Sequence, residues 1–258
     1  MNANAHFYET VARFYDAENA DKTDDLPLYT ALAERYGDPI LDVGCGTGRV
    51  MLHLAQAGFR TVGVDHSEAM LARGKRKLAV MPDVAERARF VAGDVLGVPM
   101  EERFGLVIVP YNGFMHFRTQ AEQLAALERF HTWTREGGAL VLDLPNAGEA
   151  FATADDGALV LERTFIEPES GHLVMQQSVS TLERVSQQLY ITWIYDELDE
   201  DGAVRRTVAP LVLRYVFPAE LDLLLKLSGW QVVARYGDAE RSPFEEGAPR
   251  LIAVAERA

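Results

Sequence analysis

The chain has 258 residues, 48% of them hydrophobic, and a formal net charge of −14. That length fits one α/β domain with an addition, or two small domains. The charge repels a polyanionic partner such as RNA or DNA, no apolar run is long enough to cross a membrane, and a single cysteine excludes an internal disulfide. The start, "MNANAHFYET", lacks a basic stretch followed by an apolar one. No signal peptide is read there, and the expected location is the cytoplasm.

Residues 5–17 and 27–36 read as two helices, joined by an acidic stretch, "ENADKTDD", that reads as a mobile loop. Together they suggest a helical cap over residues 1–37. From 38 to 145, strands near 39–43, 60–64, 88–92, 105–109 and 138–144 alternate with helices near 48–57, 67–80 and 119–135. Such alternation implies a parallel sheet with helices on both faces. Gly137-Gly138 reads as the turn into the fifth strand. Residues 158–217 lack helical periodicity and read as extended segments near 158–167, 172–182, 187–197 and 204–216. Asp201-Gly202 marks a hairpin tip, and the alternation Leu189, Ile191, Trp193, Tyr195 implies one buried face. Pro218 opens a helix to about 228, stopped at Gly229, and strands near 230–236 and 250–256 finish the chain. The expected plan is an α/β core over 38–157 and 218–258, interrupted by an antiparallel β insertion over 158–217 that serves as a lid or a dimerisation face.

The densest signal is Leu41-Asp42-Val43-Gly44-Cys45-Gly46-Thr47-Gly48-Arg49, followed by Asp65 at the tip of the next strand. Glycines at a strand-to-helix turn let a ligand approach the backbone closely. The helix start behind them offers free N–H groups. An acid at the next strand tip can accept hydrogen bonds from both hydroxyls of a ribose. The residues therefore suit an adenosine-containing cofactor. A dinucleotide fingerprint would read G-x-G-x-x-G, but Arg49 stands where its third glycine belongs.

"LDVGCGTG" resembles motif I of class I S-adenosylmethionine-dependent methyltransferases. "VGVDHSEAML" (Val62 to Leu71), "FVAGDV" (Phe90 to Val95) and "FGLVIVPYNGFMHF" (Phe104 to Phe117) resemble that family's next three motifs, in order. The resemblance implies a doubly wound, seven-stranded, mostly parallel sheet, S-adenosylmethionine as cofactor and a small-molecule acceptor. It places Gly44, Cys45 and Gly46 along the ribose and methionine portion, with Asp42 facing the methionine ammonium. Asp65 would hold the ribose hydroxyls, with His66 at the adenosine rim. Met70 would pack on the adenine, Asp94 and Val95 would meet its edge, and Pro110 and Tyr111 would lie nearest the transferring methyl. "ARFYDA" (Ala12 to Ala17) resembles the N-terminal element of small-molecule N- and O-methyltransferases, which makes Tyr15, and secondarily Tyr8, contacts to cofactor or acceptor. The C-terminal half is similar to bacterial methyltransferases whose antiparallel sheet covers the site or pairs two copies.

His116 is the base candidate, and Asn112 is a candidate for holding substrate. Each has a bland alternative, a buried histidine satisfied by backbone and a loop brace. Asp143 reads as a turn residue or a substrate contact, and Tyr236-Gly237-Asp238 as a return toward the cleft. No carboxylates cluster after the fourth strand, so no metal is expected. Arg73, Lys75, Arg76 and Lys77 read as a solvated helix face, and Cys45 as a small packed residue. The aromatic residues Tyr190, Trp193, Tyr195, Tyr215 and Phe217 fit a dimer face, a pocket roof or internal packing. Two further readings stand beside methyl transfer to an amine or hydroxyl: a dinucleotide-dependent oxidoreductase, and a cofactor-binding module without catalysis.

Overall fold

The computed structural model describes residues 3–151 and 157–257; positions 1, 2, 152–156 and 258 of the expected segments lie outside them. Helices α1 (Ala3–Glu18) and α2 (Leu26–Tyr36) come first. There follow β1 (Ile40–Val43), α3 (Arg49–Gln56), β2 (Thr61–Asp65), α4 (Glu68–Ala79), the single turn α5 (Pro82–Ala85), β3 (Ala88–Ala92) and β4 (Phe104–Val109). A 3₁₀ turn (Gly113–His116), α6 (Gln120–Trp133), β5 (Thr134–Pro145) and the short α7 (Ala147–Ala150) complete the first half. The insertion consists of β6 (Leu159–Ile166), β7 (Leu173–Glu183), β8 (Gln188–Leu198) and β9 (Val204–Arg214). Helix α8 (Pro218–Leu227), β10 (Trp230–Tyr236) and β11 (Arg250–Arg257) return to the core.

Two sheets result. The first has seven strands in the order β10-β11-β5-β4-β1-β2-β3; the second has four, β6-β7-β8-β9, all antiparallel. In the first, β1 to β5 run parallel and β11 runs against β5 and β10. Strands β1 and β4 are buried at every position, as expected of a sheet covered on both faces. Side chains alternate between the two covers. Leu41, Val43, Val107, Val109, Leu140 and Leu142 pack with α1, α6 and the second sheet. Ile40, Leu106, Ile108 and Val141 pack with α2 and α3.

Helix α1 is clamped between the core and the second sheet. Phe14 stacks on Tyr195 with ring centroids 4.7 Å apart and planes 9° apart, a pair contributing about 0.5–1.5 kcal/mol beyond its buried area. Arg13 reaches Glu197 at 2.8 Å and Glu167 at 3.2 Å. Burial alone would raise the Glu167 carboxyl, but the N–H groups of Glu169 and Ser170, with Arg13, hold it down at about 2. Tyr195 Oη donates to Glu18 Oε2 at 2.9 Å. Tyr195 and Tyr215 are therefore internal packing, whereas Tyr190 and Phe217 are exposed.

Some details depart from the sequence reading. The fifth strand begins at Thr134, and Gly137-Gly138 lies inside it. The register shifts between Phe104 and Leu106 there, and a Cβ on Gly138 would stand 2.8 Å from the Gly105 oxygen, so glycine permits the irregularity. The acidic α1–α2 connection is pinned: Arg49 donates to both Asp25 oxygens at 2.5 and 2.6 Å and to the Lys22 carbonyl at 2.9 Å. Half of the basic cluster faces α1, with Lys77 on Asp16 at 2.6 Å and Arg73 Nε 3.5 Å from the same carboxylate; Arg73 also meets Glu169 of the β6–β7 connection at 2.9 Å. Among the described residues no helix is long and apolar enough to cross a membrane.

Candidate functional site

The strand order turns back at β1, whose neighbours are β2 and β4. An open α/β sheet holds ligands at such a switch, outside the strand carboxyl ends. A cleft of about 640 Å³ lies there, within the range of about 300–1,000 Å³ for small-molecule sites.

Its floor is the glycine turn after β1. Gly44 has φ +70°, and nothing lies within 4 Å of where its Cβ would stand; a side chain would project into open space. Asp65 organises the turn from below. Its Oδ2 accepts the Gly46 N–H at 2.8 Å and its Oδ1 the Ser67 N–H at 2.8 Å. Burial raises its carboxyl despite those donors. Asp42 Oδ2 accepts the Met51 N–H at 3.1 Å, while its Oδ1 is buried without a partner. Burial, opposed by Arg49 and the Met51 N–H, pushes Asp42 up to about 7. An unpartnered buried carboxylate oxygen beside a cleft is a costly arrangement that a ligand cation would relieve. Cys45 is buried and its thiol is pushed up by burial, which keeps it unreactive.

One wall comes from β2 and β3. His66 is exposed at the rim, 4.0 Å from Asp65. Met70 is buried, its Cε 3.1 Å from an ideal Cβ at Gly46. Asp94 is exposed and its Oδ1 accepts the Leu96 N–H at 2.9 Å; Val95 is half-buried beside it.

The roof is α1. Tyr8 and Tyr15 line the cleft, their rings 6.3 Å apart. The next residue, Asp16, explains how α1 is held down: its Oδ1 accepts the Thr47 hydroxyl and the Lys77 ammonium, both at 2.6 Å. Thr47 belongs to the glycine turn, so α1 and the turn are tied directly. The Tyr8 hydroxyl and His116 Nε2 share a hydrogen bond of 3.0 Å. Burial lowers His116 to about 4, with the charge of His66 adding to it. Burial also raises Tyr8. Both groups are neutral across the physiological range.

The far wall follows β4. Pro110 and Tyr111 line the cleft, and Lys22 Nζ rests 3.4 Å above the Tyr111 ring. Asn112 does not line it. Its backbone is left-handed (φ 66°) and its Oδ1 is buried without a hydrogen-bond partner. Asp143 is also outside the cleft. Its Oδ1 accepts Arg250 Nε and Nη2 at 2.9 and 2.5 Å, and its Oδ2 accepts the Tyr111 N–H at 3.2 Å. Tyr236-Gly237-Asp238 does not return to the cleft either: the Gly237 N–H and carbonyl bond to Ser242 and Arg250. The cleft gains several residues that sequence patterns did not single out, among them Asn19, Lys22, Arg118, Glu122 and, from the second sheet, Gln188.

A family described as "Methyltransferase domain" matches residues 40–138, the stretch holding the glycine turn, Asp65 and Asp94. The chain is 26% identical over 227 residues to a cypemycin N-terminal methyltransferase of Streptomyces sp, covering 86% of this chain and 84% of that one. The solved structure of the CcbJ methyltransferase from Streptomyces caelestis superposes with a TM-score of 0.85 at 26% identity, over the whole of both chains. Residues 40–138 form a methyltransferase domain, and the protein is an S-adenosylmethionine-dependent methyltransferase. The methyltransferase is also 33% identical over 145 residues to a demethylmenaquinone methyltransferase of Beutenbergia cavernae, of which it spans only 56%. On that ground, the oxidoreductase and non-catalytic readings are set aside. The methyltransferase uses S-adenosylmethionine, and its cleft fits that group: an open glycine cradle, an acid at the β2 tip and a buried carboxylate oxygen in need of a cation.

Proposed function

We propose that this enzyme methylates the amine of a small molecule. Asp65 holds the cofactor's ribose hydroxyls, Asp42 its ammonium, and Asp94 and Val95 its adenine edge. The bound cofactor supplies an electrophilic methyl on a good leaving group. The chain's own residues orient the acceptor and exclude water. The observation carrying the amine reading is His116: burial holds it near 4, which makes it a poor base for a hydroxyl, whereas an amine attacks through its own lone pair. The cleft carboxylates do not replace it: Asp42 is taken by the cofactor's ammonium in this reading, and Asp65, Asp94 and Glu122 accept backbone N–H groups. In this reading the His116–Tyr8 pair accepts an amine N–H and fixes the direction of the lone pair. The name of the cypemycin relative, an N-terminal methyltransferase, agrees with an amine acceptor.

Matched amine and alcohol pairs, an amino sugar with its parent sugar among them, test this by mass spectrometry. Methylation confined to the amines is expected; alcohols methylated at equal rates would overturn it. His116→Ala should lower kcat/KM by about 10- to 100-fold, at the lower end of acid–base and positioning effects, and change affinity for the demethylated cofactor less than about twofold. Equal activity would return His116 to a packing role.

A pH dependence follows from Asp42. With the cleft empty its carboxyl titrates near 7, and a cofactor ammonium favours the ionised form. Cofactor affinity should therefore rise with pH up to about 7 and level off above, falling by up to about tenfold per pH unit below it. Calorimetric titrations from pH 5.5 to 8.5 check this, and Asp42→Asn should flatten the profile.

A further inference from the structure

Arg118 is one of the cleft residues to which methyl transfer gives no role. Arg118 lies between the 3₁₀ turn and α6, and its backbone is fixed on both sides. Its N–H donates to Glu122 Oε2 at 2.7 Å, and its carbonyl accepts Gln188 Nε2 from the second sheet at 3.4 Å. Arg118 lines the cleft, and its Nε is buried and unbonded. The nearest acid in sequence, Glu122, does not neutralise it. Glu122 closes the capping box of α6, its Oε2 also accepting the Thr119 N–H at 3.1 Å.

This is unusual for the molecule. Among the described residues, the other arginines that are buried or half-buried all donate to carboxylates or carbonyls, as Arg13, Arg49, Arg214 and Arg250 illustrate. A half-buried guanidinium without a counter-ion is expensive, and its planar fork of donors matches carboxylate or phosphate oxygens. In a chain of net charge −14, an anionic ligand is repelled by the average field, so its capture needs a local, unneutralised cation. Arg118 is also remote in the chain from the glycine turn, two residues after His116, and is tied to the second sheet.

We propose that Arg118 forms an anion subsite for the acceptor, so that the amine methylated by this enzyme carries a carboxylate or a phosphate group. The substrate class rests on the amine reading above; the anion subsite does not. The test has two arms. First, the full-length protein saturated with S-adenosylhomocysteine, which occupies the cofactor's own carboxylate position, is titrated with inorganic phosphate and with succinate. Saturable binding of at least one is expected, weakened about tenfold or more by Arg118→Gln; the anion that binds tells phosphate from carboxylate. Second, kcat/KM is compared for glucosamine with glucosamine 6-phosphate and for propylamine with β-alanine. The anionic member of at least one pair should be favoured by about tenfold or more, and that ratio should fall toward one in Arg118→Gln. Neither anion binding, or binding unchanged by the substitution, would overturn the subsite. Amines methylated without regard to their charge would overturn the substrate class while leaving amine transfer intact. Anion binding through Arg118 with no amine methylated would instead count against amine transfer and leave the subsite standing.

Discussion

Asp65→Ala is expected to weaken binding of S-adenosylhomocysteine by about 10- to 150-fold. Part of the loss is direct, since a hydrogen bond to a charged group contributes about 1.5–3 kcal/mol, and 1.4 kcal/mol is tenfold in affinity. The remainder is organisational. The same carboxylate accepts the N–H groups of Gly46 and Ser67, both at 2.8 Å, so its removal leaves two buried donors unpaired and loosens the glycine turn against β2. Asp65→Asn, which keeps one acceptor oxygen, should fall between the two. Calorimetric titration measures the affinity, and a melt of the empty protein separates loss of the site from loss of the fold. Affinity within twofold of the parent would place the ribose elsewhere.

Asp143→Ala should give the largest loss of stability, about 3–5 kcal/mol. Asp143 is 3% exposed and receives Arg250, the Tyr111 N–H and, at 3.4 Å, the Tyr29 hydroxyl. Burial raises its carboxyl while Arg250 and the Tyr111 N–H oppose the rise, so the group is held by its partners rather than by solvent. Removing one member of such a buried pair strands the other charge, which costs about that much. For a chain of this size the melting temperature should fall on the order of 10 °C. Replacing both members, Asp143→Leu with Arg250→Met, should recover most of the loss. A shift below about 2 °C in the single variant would show that Arg250 finds solvent without penalty. Because Tyr111 hangs from Asp143, cleft geometry should suffer as well, with KM rising before kcat falls.

The element order was legible because its signals are local. Apolar runs of four to six residues marked β1, β2 and β4, and the strand tip that carries Asp65 needed only chain-order reasoning. The turn from Gly44 to Gly48 was legible for the same reason. Single turns such as Pro82–Ala85 and Gly113–His116 were not, since four residues carry no helical period. The positions whose roles the sequence did not reveal are those set by distant partners. Asp143 meets Arg250 across 107 residues, and Arg49 meets Asp25 across 24. Neither separation leaves a pattern in sequence. Asn112 lies outside the cleft lining, and its left-handed backbone (φ 66°) is a feature that residue type alone does not give. Arg118 and Gln188 reach the cleft only because the second sheet docks against the start of α6, a contact without periodicity to reveal it.

In the proposed site the Gly44–Gly48 turn and Asp65 together grip the cofactor's nucleoside. A crystal structure of the enzyme with S-adenosylhomocysteine tests it most directly. Both ribose hydroxyls should lie within about 3 Å of the Asp65 carboxylate, with the amino-acid portion along Gly44 to Gly46 and the ammonium toward Asp42. A nucleoside bound elsewhere, with this crevice holding only solvent, would contradict the account.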